Sequence, residues 1–171
     1  MILPDKFRAK IITLSDRVSA GEYEDLSGPL AKEMLDDYFR QIGWKLESEI
    51  AVLPDDAAKL RQIINESSQE HNIIITTGGT GIGPRDYTVD VVEQMLDKTI
   101  PGIMELIRVK YGMEKPSALL SRGIAGIKGM CIIYTLPGSV KAVREYMTEI
   151  LTSIQHAIYM QYGIDIHGRQ T

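Results

Sequence analysis

Three stretches of this chain carry apolar side chains at nearly every position: Ala9–Leu14 (AKIITL), Asn72–Thr77 (NIIITT) and Met130–Leu136 (MCIIYTL). A strand with one wet face alternates apolar and polar residues. A strand that does not alternate has to be covered on both faces. A fourth stretch, Leu46–Leu53 (LESEIAVL), alternates at first and is read with the others as a buried strand.

The cover for both faces is visible between the strands. Ala31, Met34, Leu35, Tyr38, Phe39 and Ile42 recur at helical spacing after Pro29, a first-turn residue. Leu60, Ile63 and Ile64 form a second stripe. Val91, Val92, Met95 and Leu96 form a third, with Thr88 read as its N-cap. Ile103, Leu106, Ile107 and Tyr111 follow Pro101. The longest stripe, from about Ser139 to Tyr162, carries Val143, Met147, Ile150, Ile154 and Ile158. Strand–helix–strand alternation implies βαβ units, hence an α/β fold: three α/β/α layers with a mostly parallel central sheet. The 171 residues suit one domain, 1–171, with 165–171 read as a flexible tail. His167 in that tail and His71 at a helix end read as solvated.

Charge and cysteine content narrow the function classes. A net charge of −4 argues against a nucleic-acid or anionic-membrane partner, which would want a basic face. It does not exclude a small anionic ligand held by backbone N–H groups. No apolar run reaches roughly 18 residues and the N-terminus has no cleavage signature, so a cytoplasmic protein is expected. Cys131 is the single cysteine, inside an apolar run; it reads as a small buried hydrophobe and forms no disulfide within one chain.

Ligands of open α/β sheets collect at the carboxyl ends of the strands. Here those ends are unusual. The first strand runs into Ser15-Asp16-Arg17, the second into Pro54-Asp55-Asp56, the third into Gly78-Gly79-Thr80-Gly81, the fourth into Pro137-Gly138-Ser139. If the strands are parallel, all four loops share one edge. Glycines at 78, 79, 81 and 83 allow successive N–H groups to face one concavity, an anion nest, with Thr77 and Thr80 adding hydroxyls; the plainer reading is a tight turn. Ser139 is either a second anion site at a helix N-terminus or a simple cap. Asp86 beside a phosphate nest is repulsive unless a cation lies between, and Mg²⁺ is the usual bridge. The alternative for Asp86 is a local pair with Arg85 or a cap. Asp55 is the second candidate ligand or, with Asp56, a helix start. Glu105 with Arg108, and Ser121 with Arg122, are polar groups that fit either a site or ordinary surface.

The motifs together resemble a known family. Thr77-Gly78-Gly79-Thr80-Gly81, then Arg85-Asp86 and Thr88, resembles the signature of the molybdenum-cofactor biosynthesis family. Ser15-Asp16-Arg17, Tyr23-Glu24-Asp25 and Ser27-Gly28-Pro29 resemble its single-domain molybdopterin adenylyltransferases, and Leu120-Ser121-Arg122 and Leu136-Pro137-Gly138-Ser139 match further segments. The resemblance spans about Lys10 to Ile158. It implies AMP transfer from Mg-ATP to the terminal phosphate of molybdopterin, with release of pyrophosphate. It also implies a homotrimer and hand-over of the product to a molybdate-inserting partner. By motif position Asp55 and Asp86 are the catalytic aspartates, and Mg²⁺ is assigned to them. The substrate-binding residues are Ser15, Asp16, Thr77, Gly78, Gly79, Thr80, Gly81, Glu105, Ser121, Arg122, Pro137, Gly138 and Ser139. The rival is a non-catalytic carrier of molybdopterin. The chain departs from the family pattern at Val89-Asp90, where Pro-Glu is usual, and at Val140, where Pro is frequent. Both are first-turn positions, so local rigidity rather than chemistry is affected.

Overall fold

The computed structural model describes residues 2–164; the expected tail at 165–171, including His167, lies outside them. The elements run β1 (Phe7–Leu14), α1 (Asp16–Ser19), α2 (Ser27–Gln41), β2 (Leu46–Leu53), α3 (Ala57–Glu70), β3 (Ile73–Thr77), α4 (Thr88–Glu93), β4 (Lys98–Thr99) and α5 (Pro101–Glu114). A 3₁₀ turn (Pro116–Leu120), β5 (Ala125–Lys128), β6 (Cys131–Leu136) and α6 (Val140–Gln161) follow.

One sheet has the order β2-β1-β3-β6-β5-β4. The first four strands are parallel, and β5 and β4 continue the sheet beyond β6 in antiparallel pairs. Side chains on a strand alternate between faces, and the core divides accordingly. Ile11 of β1, Ile75 of β3 and Tyr134 of β6 face α2, α5 and α6, where Leu35, Phe39, Met104, Ile107, Met147 and Ile150 close the layer. Ile12, Ile74 and Ile133 face the other way, onto Leu60 and Ile64 of α3 and Val92 of α4. Both faces are dry, which is why β1, β3 and β6 read as unbroken apolar runs. Cys131 belongs to the second layer, and burial pushes its thiol up to about 12, so it behaves as the expected inert hydrophobe.

Three expectations need correction, and one pair of strands is additional. β2 is an edge strand, with Ile50 37% and Val52 38% exposed, because only β1 lies beside it. Its Glu47 and Glu49 pair with Lys6 and Lys10, charges of the kind that discourage edge-to-edge association. His71 is not solvated: it is 6% exposed, with Nδ1 3.1 Å from the Ser67 carbonyl and Nε2 2.9 Å from Glu49 Oε1. Thr88 is not the cap of α4; Tyr87 holds that position, and Thr88 is the buried first helical residue. The antiparallel pair β4–β5 has no counterpart in the sequence reading.

Candidate active site

Register places the four parallel strand ends at one level. Leu14 pairs with Leu53, Thr13 with Thr77, and Thr77 with Leu136. Within this sheet β1 connects outward to β2, while β3 lies on its other side. The loops after β1 and β3 therefore part, and ligands of open α/β sheets bind in such a crevice.

The glycines of the loop after β3 have separate physical reasons. Gly78 adopts φ 104° and Gly79 φ 65°, the left-handed region open to glycine. A Cβ on Gly78 would lie 2.3 Å from the Leu14 carbonyl oxygen, and one on Gly79 2.2 Å from Thr88 Oγ1. The Gly78 N–H donates to the Leu136 carbonyl at 2.9 Å, so this amide is not part of an anion nest. Gly78 is a structural corner between β1 and β6, against which Gly138 packs. Gly81 and Gly83 serve Asp86 instead. A Cβ on either would stand 2.7 or 2.8 Å from Asp86 Oδ2, and the Gly83 N–H donates to that oxygen at 2.8 Å. The Gly79, Thr80 and Gly81 amides donate to no atom among the described residues. The nest is thus shorter than the sequence suggests, and the carboxylate is fitted into its far end.

Asp86 stands between two cavities. One, of about 460 Å³, is walled by Thr80, Gly81, Tyr111, Ser121, Pro137, Ser139 and Tyr146. The other, of about 340 Å³, is walled by Ser15, Asp16, Asp55, Gly79 and Arg85. Asp86 and Gly83 line both, and Asp86 is the one side chain they share. A third hollow, of about 480 Å³, adjoins them through Ser15 and Ser139 and includes Asp25, Thr77 and Gly138.

The second cavity gathers three carboxylates. The Asp55 N–H donates to Asp16 Oδ1 at 2.9 Å, and the Asp16 N–H donates to Asp55 Oδ2 at 3.4 Å. Arg85 Nη1 donates to Asp16 Oδ2 at 2.6 Å, so Arg85 pairs with Asp16 rather than with Asp86. Asp56, not Asp55, caps α3, accepting from Ala58 and Lys59 N–H at 2.9 and 3.0 Å. Asp55 is left for the cavity. Tyr87 sits behind this group with its hydroxyl buried and without a hydrogen-bond partner. Burial first, then the charges of Asp55, Asp16 and Asp56, raise its pKa. Among the described residues no three His, Cys, Asp or Glu side chains converge tightly enough to hold a metal alone. Mg²⁺ takes one or two carboxylates and completes its shell with phosphate oxygens and water, and partly exposed Asp55 and Asp86 beside free amides fit that need.

The other predicted site residues divide. Ser15 caps α1, its Oγ accepting from Val18 N–H at 3.3 Å, and Ser139 caps α6, accepting from Ala142 N–H at 3.3 Å; both still line cavities. Ser121 lines the first cavity and accepts the Tyr146 hydroxyl at 2.8 Å. Thr77 is fully buried; its hydroxyl lies 3.0 Å from Ser27 Oγ and donates to Thr13 Oγ1 at 3.3 Å, which leaves it a framework group. Glu105 is exposed on α5 and lines none of these cavities, because its helix turns Met104 and Ile107 inward. Arg122 lines neither of the two that meet at Asp86; its guanidinium is occupied by protein groups.

Sequence reasoning misses Asp25 as an anchor. Its Oδ1 accepts from the N–H of Ser27 and Gly28 and from Ser27 Oγ, each at 3.0 Å, while Oδ2 accepts the Thr13 hydroxyl at 2.7 Å. That ties the long first loop and the start of α2 to the sheet. A signal exists in the chain: an Asp two residues before a helix start is an N-terminal capping pattern.

A carboxylate shared by two cavities at the crevice of a mostly parallel sheet defines an α/β protein with a small-molecule-sized site at its strand ends. A comparison with known families makes the class specific: residues 10–156 match the family described as "Probable molybdopterin binding domain", and the chain belongs to that family of molybdenum-cofactor biosynthesis proteins. It is 33% identical to the molybdopterin adenylyltransferase of Helicobacter pylori strain 26695 over 90% of this chain and 86% of that one. The molybdopterin adenylyltransferase of Pyrococcus furiosus is 32% identical, with 91% of each chain covered. The gephyrin of Dictyostelium discoideum is 37% identical over 86% of this chain, which spans only 21% of that longer protein. Among solved structures, the molybdopterin biosynthesis enzyme MoaB of Thermus thermophilus superposes with a TM-score of 0.81 at 33% identity, covering 92% of this chain and 97% of that one.

Proposed function

We propose that the protein transfers AMP from ATP to the terminal phosphate of molybdopterin, giving adenylylated molybdopterin and pyrophosphate. The observation that carries this reading is Asp86 shared between two cavities, with the free Gly79–Gly81 amides beside it. The names of the relatives from Helicobacter pylori and Pyrococcus furiosus support it.

A phosphate oxygen of molybdopterin forms a bond to the α-phosphorus of ATP, and the bond from that phosphorus to the bridging oxygen of pyrophosphate breaks. The nucleophile is already anionic, so no strong base is required. The barrier is repulsion between two polyanions, and positioning with electrostatic stabilisation lowers it. Free amides of the loop hold phosphate oxygens without bringing a side chain into the path. Asp55 and Asp86 would hold Mg²⁺, which supplies charge neutralisation of the phosphates. The side walls of the first cavity, Tyr111 and Tyr146, offer aromatic surface for a flat heterocycle. Cytoplasmic location, a homotrimer and hand-over to a molybdate-inserting partner go with this reading.

The test is incubation with molybdopterin and Mg-ATP. The wild-type protein releases pyrophosphate, and Asp86→Ala loses that release while molybdopterin affinity stays within a few-fold. Molybdopterin binding with no ATP-dependent pyrophosphate release by the wild type would make the protein a carrier instead.

A further inference from the structure

Arg122 reaches from the far end of the 3₁₀ turn to the loop after β3 and grips its main chain. Its Nε donates to the Gly81 carbonyl at 2.8 Å, and one Nη2 bond goes to the Asp86 carbonyl. Its own backbone N–H donates to the Thr80 carbonyl at 2.8 Å. The remaining guanidinium edge meets Asp90 of α4, with Nη1 to Oδ1 at 2.7 Å and Nη2 to Oδ2 at 3.0 Å. A bidentate arginine–carboxylate pair fixes the guanidinium plane as well as its position.

The rest of the loop has little to hold it. Ile82, Gly83, Pro84 and Arg85 are exposed. The bonds from Gly83 N–H to Asp86 Oδ2 and from Asp86 N–H to the Gly83 carbonyl lie within the loop. The Arg85–Asp16 pair is a single-point contact between side chains 73% and 42% exposed and contributes little rigidity, whereas the Arg122–Asp90 pair, 35% and 53% exposed, is bidentate. Asp86 therefore depends for its place on carbonyls held by a side chain from another segment.

We infer that Asp90 is a positioning residue: it locks the Arg122 guanidinium so that Arg122 holds the Gly81 and Asp86 carbonyls and sets the Asp86 carboxylate between the two cavities. The inference rests on the adenylyl-transfer reading for its kinetic consequence and on the hydrogen bonds alone for its mechanical one. Arg122 turns no uncompensated charge toward the ligands in this arrangement, because Asp90 neutralises it. Consistent with the pairing, the Arg122 guanidinium beside Asp90 holds its carboxyl below the ordinary value. Ser121, next to Arg122 in the chain, accepts the Tyr146 hydroxyl in the first cavity, so the brace borders that cavity as well.

Two measurements test it, on Asp90→Ala, the isosteric Asp90→Asn and the conservative Asp90→Glu. In hydrogen exchange, the Gly83 and Asp86 amides of Asp90→Ala exchange about tenfold faster, while β3 amides such as Ile74 are unchanged. In pyrophosphate release, kcat of Asp90→Ala falls about 10- to 100-fold with KM for both substrates within about threefold, the size expected when a reacting group is misplaced by about 1 Å. Asp90→Asn, which keeps the shape and one acceptor, falls between, and Asp90→Glu recovers kcat to within about threefold of wild type. Unchanged exchange at Gly83 and Asp86 overturns the brace. So does a rise in KM equal to the loss in kcat/KM, which would make Arg122 a substrate ligand. If the wild type releases no pyrophosphate, the adenylyl-transfer reading fails, and the exchange pattern alone decides the brace.

Discussion

Asp16 and Asp55 each take a hydrogen bond from the other's backbone amide, at 2.9 and 3.4 Å, across the ends of β1 and β2. Two carboxylates on neighbouring loops repel, and reciprocal amide donation offsets that repulsion while leaving the second oxygen of Asp55 for the cavity. The two residues thus behave as one unit.

That unit predicts non-additive kinetics. On the adenylyl-transfer proposal, Asp55→Ala lowers pyrophosphate release by about 100-fold or more, the scale of losing a charge-positioning group. Asp16→Ala costs less, because it removes the support of Asp55 and frees Arg85. The double variant is no worse than Asp55→Ala by more than about threefold, since residues acting together are not additive. Values of kcat/KM for the four proteins decide this; a double variant equal to the product of the singles would separate the two roles.

Gly78 is predicted to be the least replaceable glycine of the loop. Gly78→Ala forces both a left-handed backbone and a contact of 2.3 Å with the Leu14 carbonyl. A cost above about 2 kcal/mol is expected from urea unfolding. Gly21 has φ 75° with open space, free of other atoms to 4 Å, where an alanine methyl would stand, so Gly21→Ala costs about 1 kcal/mol. Equal losses would mean that strain alone, not the strand corner, sets the requirement.

Alkaline pH should unfold the protein early. Tyr38, Tyr87, Tyr111, Tyr134, Tyr146 and Tyr162 all have raised pKa values, burial being the first cause in each. A raised phenol pKa contributes stability fully present below the unfolded value near 10 and lost as pH rises through the folded value. Tyr111 is pushed up to about 12, by burial first and then by donating to Glu149 at 2.9 Å. Stability measured by urea unfolding should fall between pH 10 and about 12. Tyr111→Phe removes the hydroxyl, costs about 1 kcal/mol at neutral pH, and makes that fall shallower. An unchanged slope would count against Tyr111 as a contributor.

The edge and the centre of the sheet should respond differently to truncation. Ile75 is fully buried on β3, and Ile75→Ala costs about 2–5 kcal/mol through lost burial and a cavity. Ile50 on β2 is 37% exposed, and Ile50→Ala costs less than about 1.5 kcal/mol. Thermal or urea unfolding of the two variants gives the comparison.

How far the fold is legible in the sequence follows from periodicity. β1, β3 and β6 are visible because two dry faces force continuous apolar runs. Their N-terminal bounds differ by one or two residues from the sequence reading, as with Phe7 and Arg8, where a charged side chain on the strand hides its start. β4 and β5 are invisible because Lys98-Thr99 and Ala125-Gly126-Ile127-Lys128 are too short and too mixed to show any period. His71 reads wrongly because a helix-end histidine gives no sign that Glu49 of an outer strand faces it. Among site residues, Asp55 and Asp86 stand out at strand ends and meet in one cavity. Thr77 and Arg122 fall in the right segments with the wrong orientation, since only three dimensions show that Ser27 and Asp90 claim them. Glu105 lies off the apolar stripe of α5, as its spacing has it, and that exposed face lines none of the cavities at the strand ends.

The parting of the loops after β1 and β3 has a wider implication. The hollow is made by the route of the chain and not by carving side chains out of a packed interior. Its carboxylates, Asp16, Asp55 and Asp86, sit on connecting segments outside the hydrophobic core, although Ile107 and Tyr146 of the core form part of one wall. Redesign for a different ligand could therefore rewrite those segments while leaving every strand as it stands.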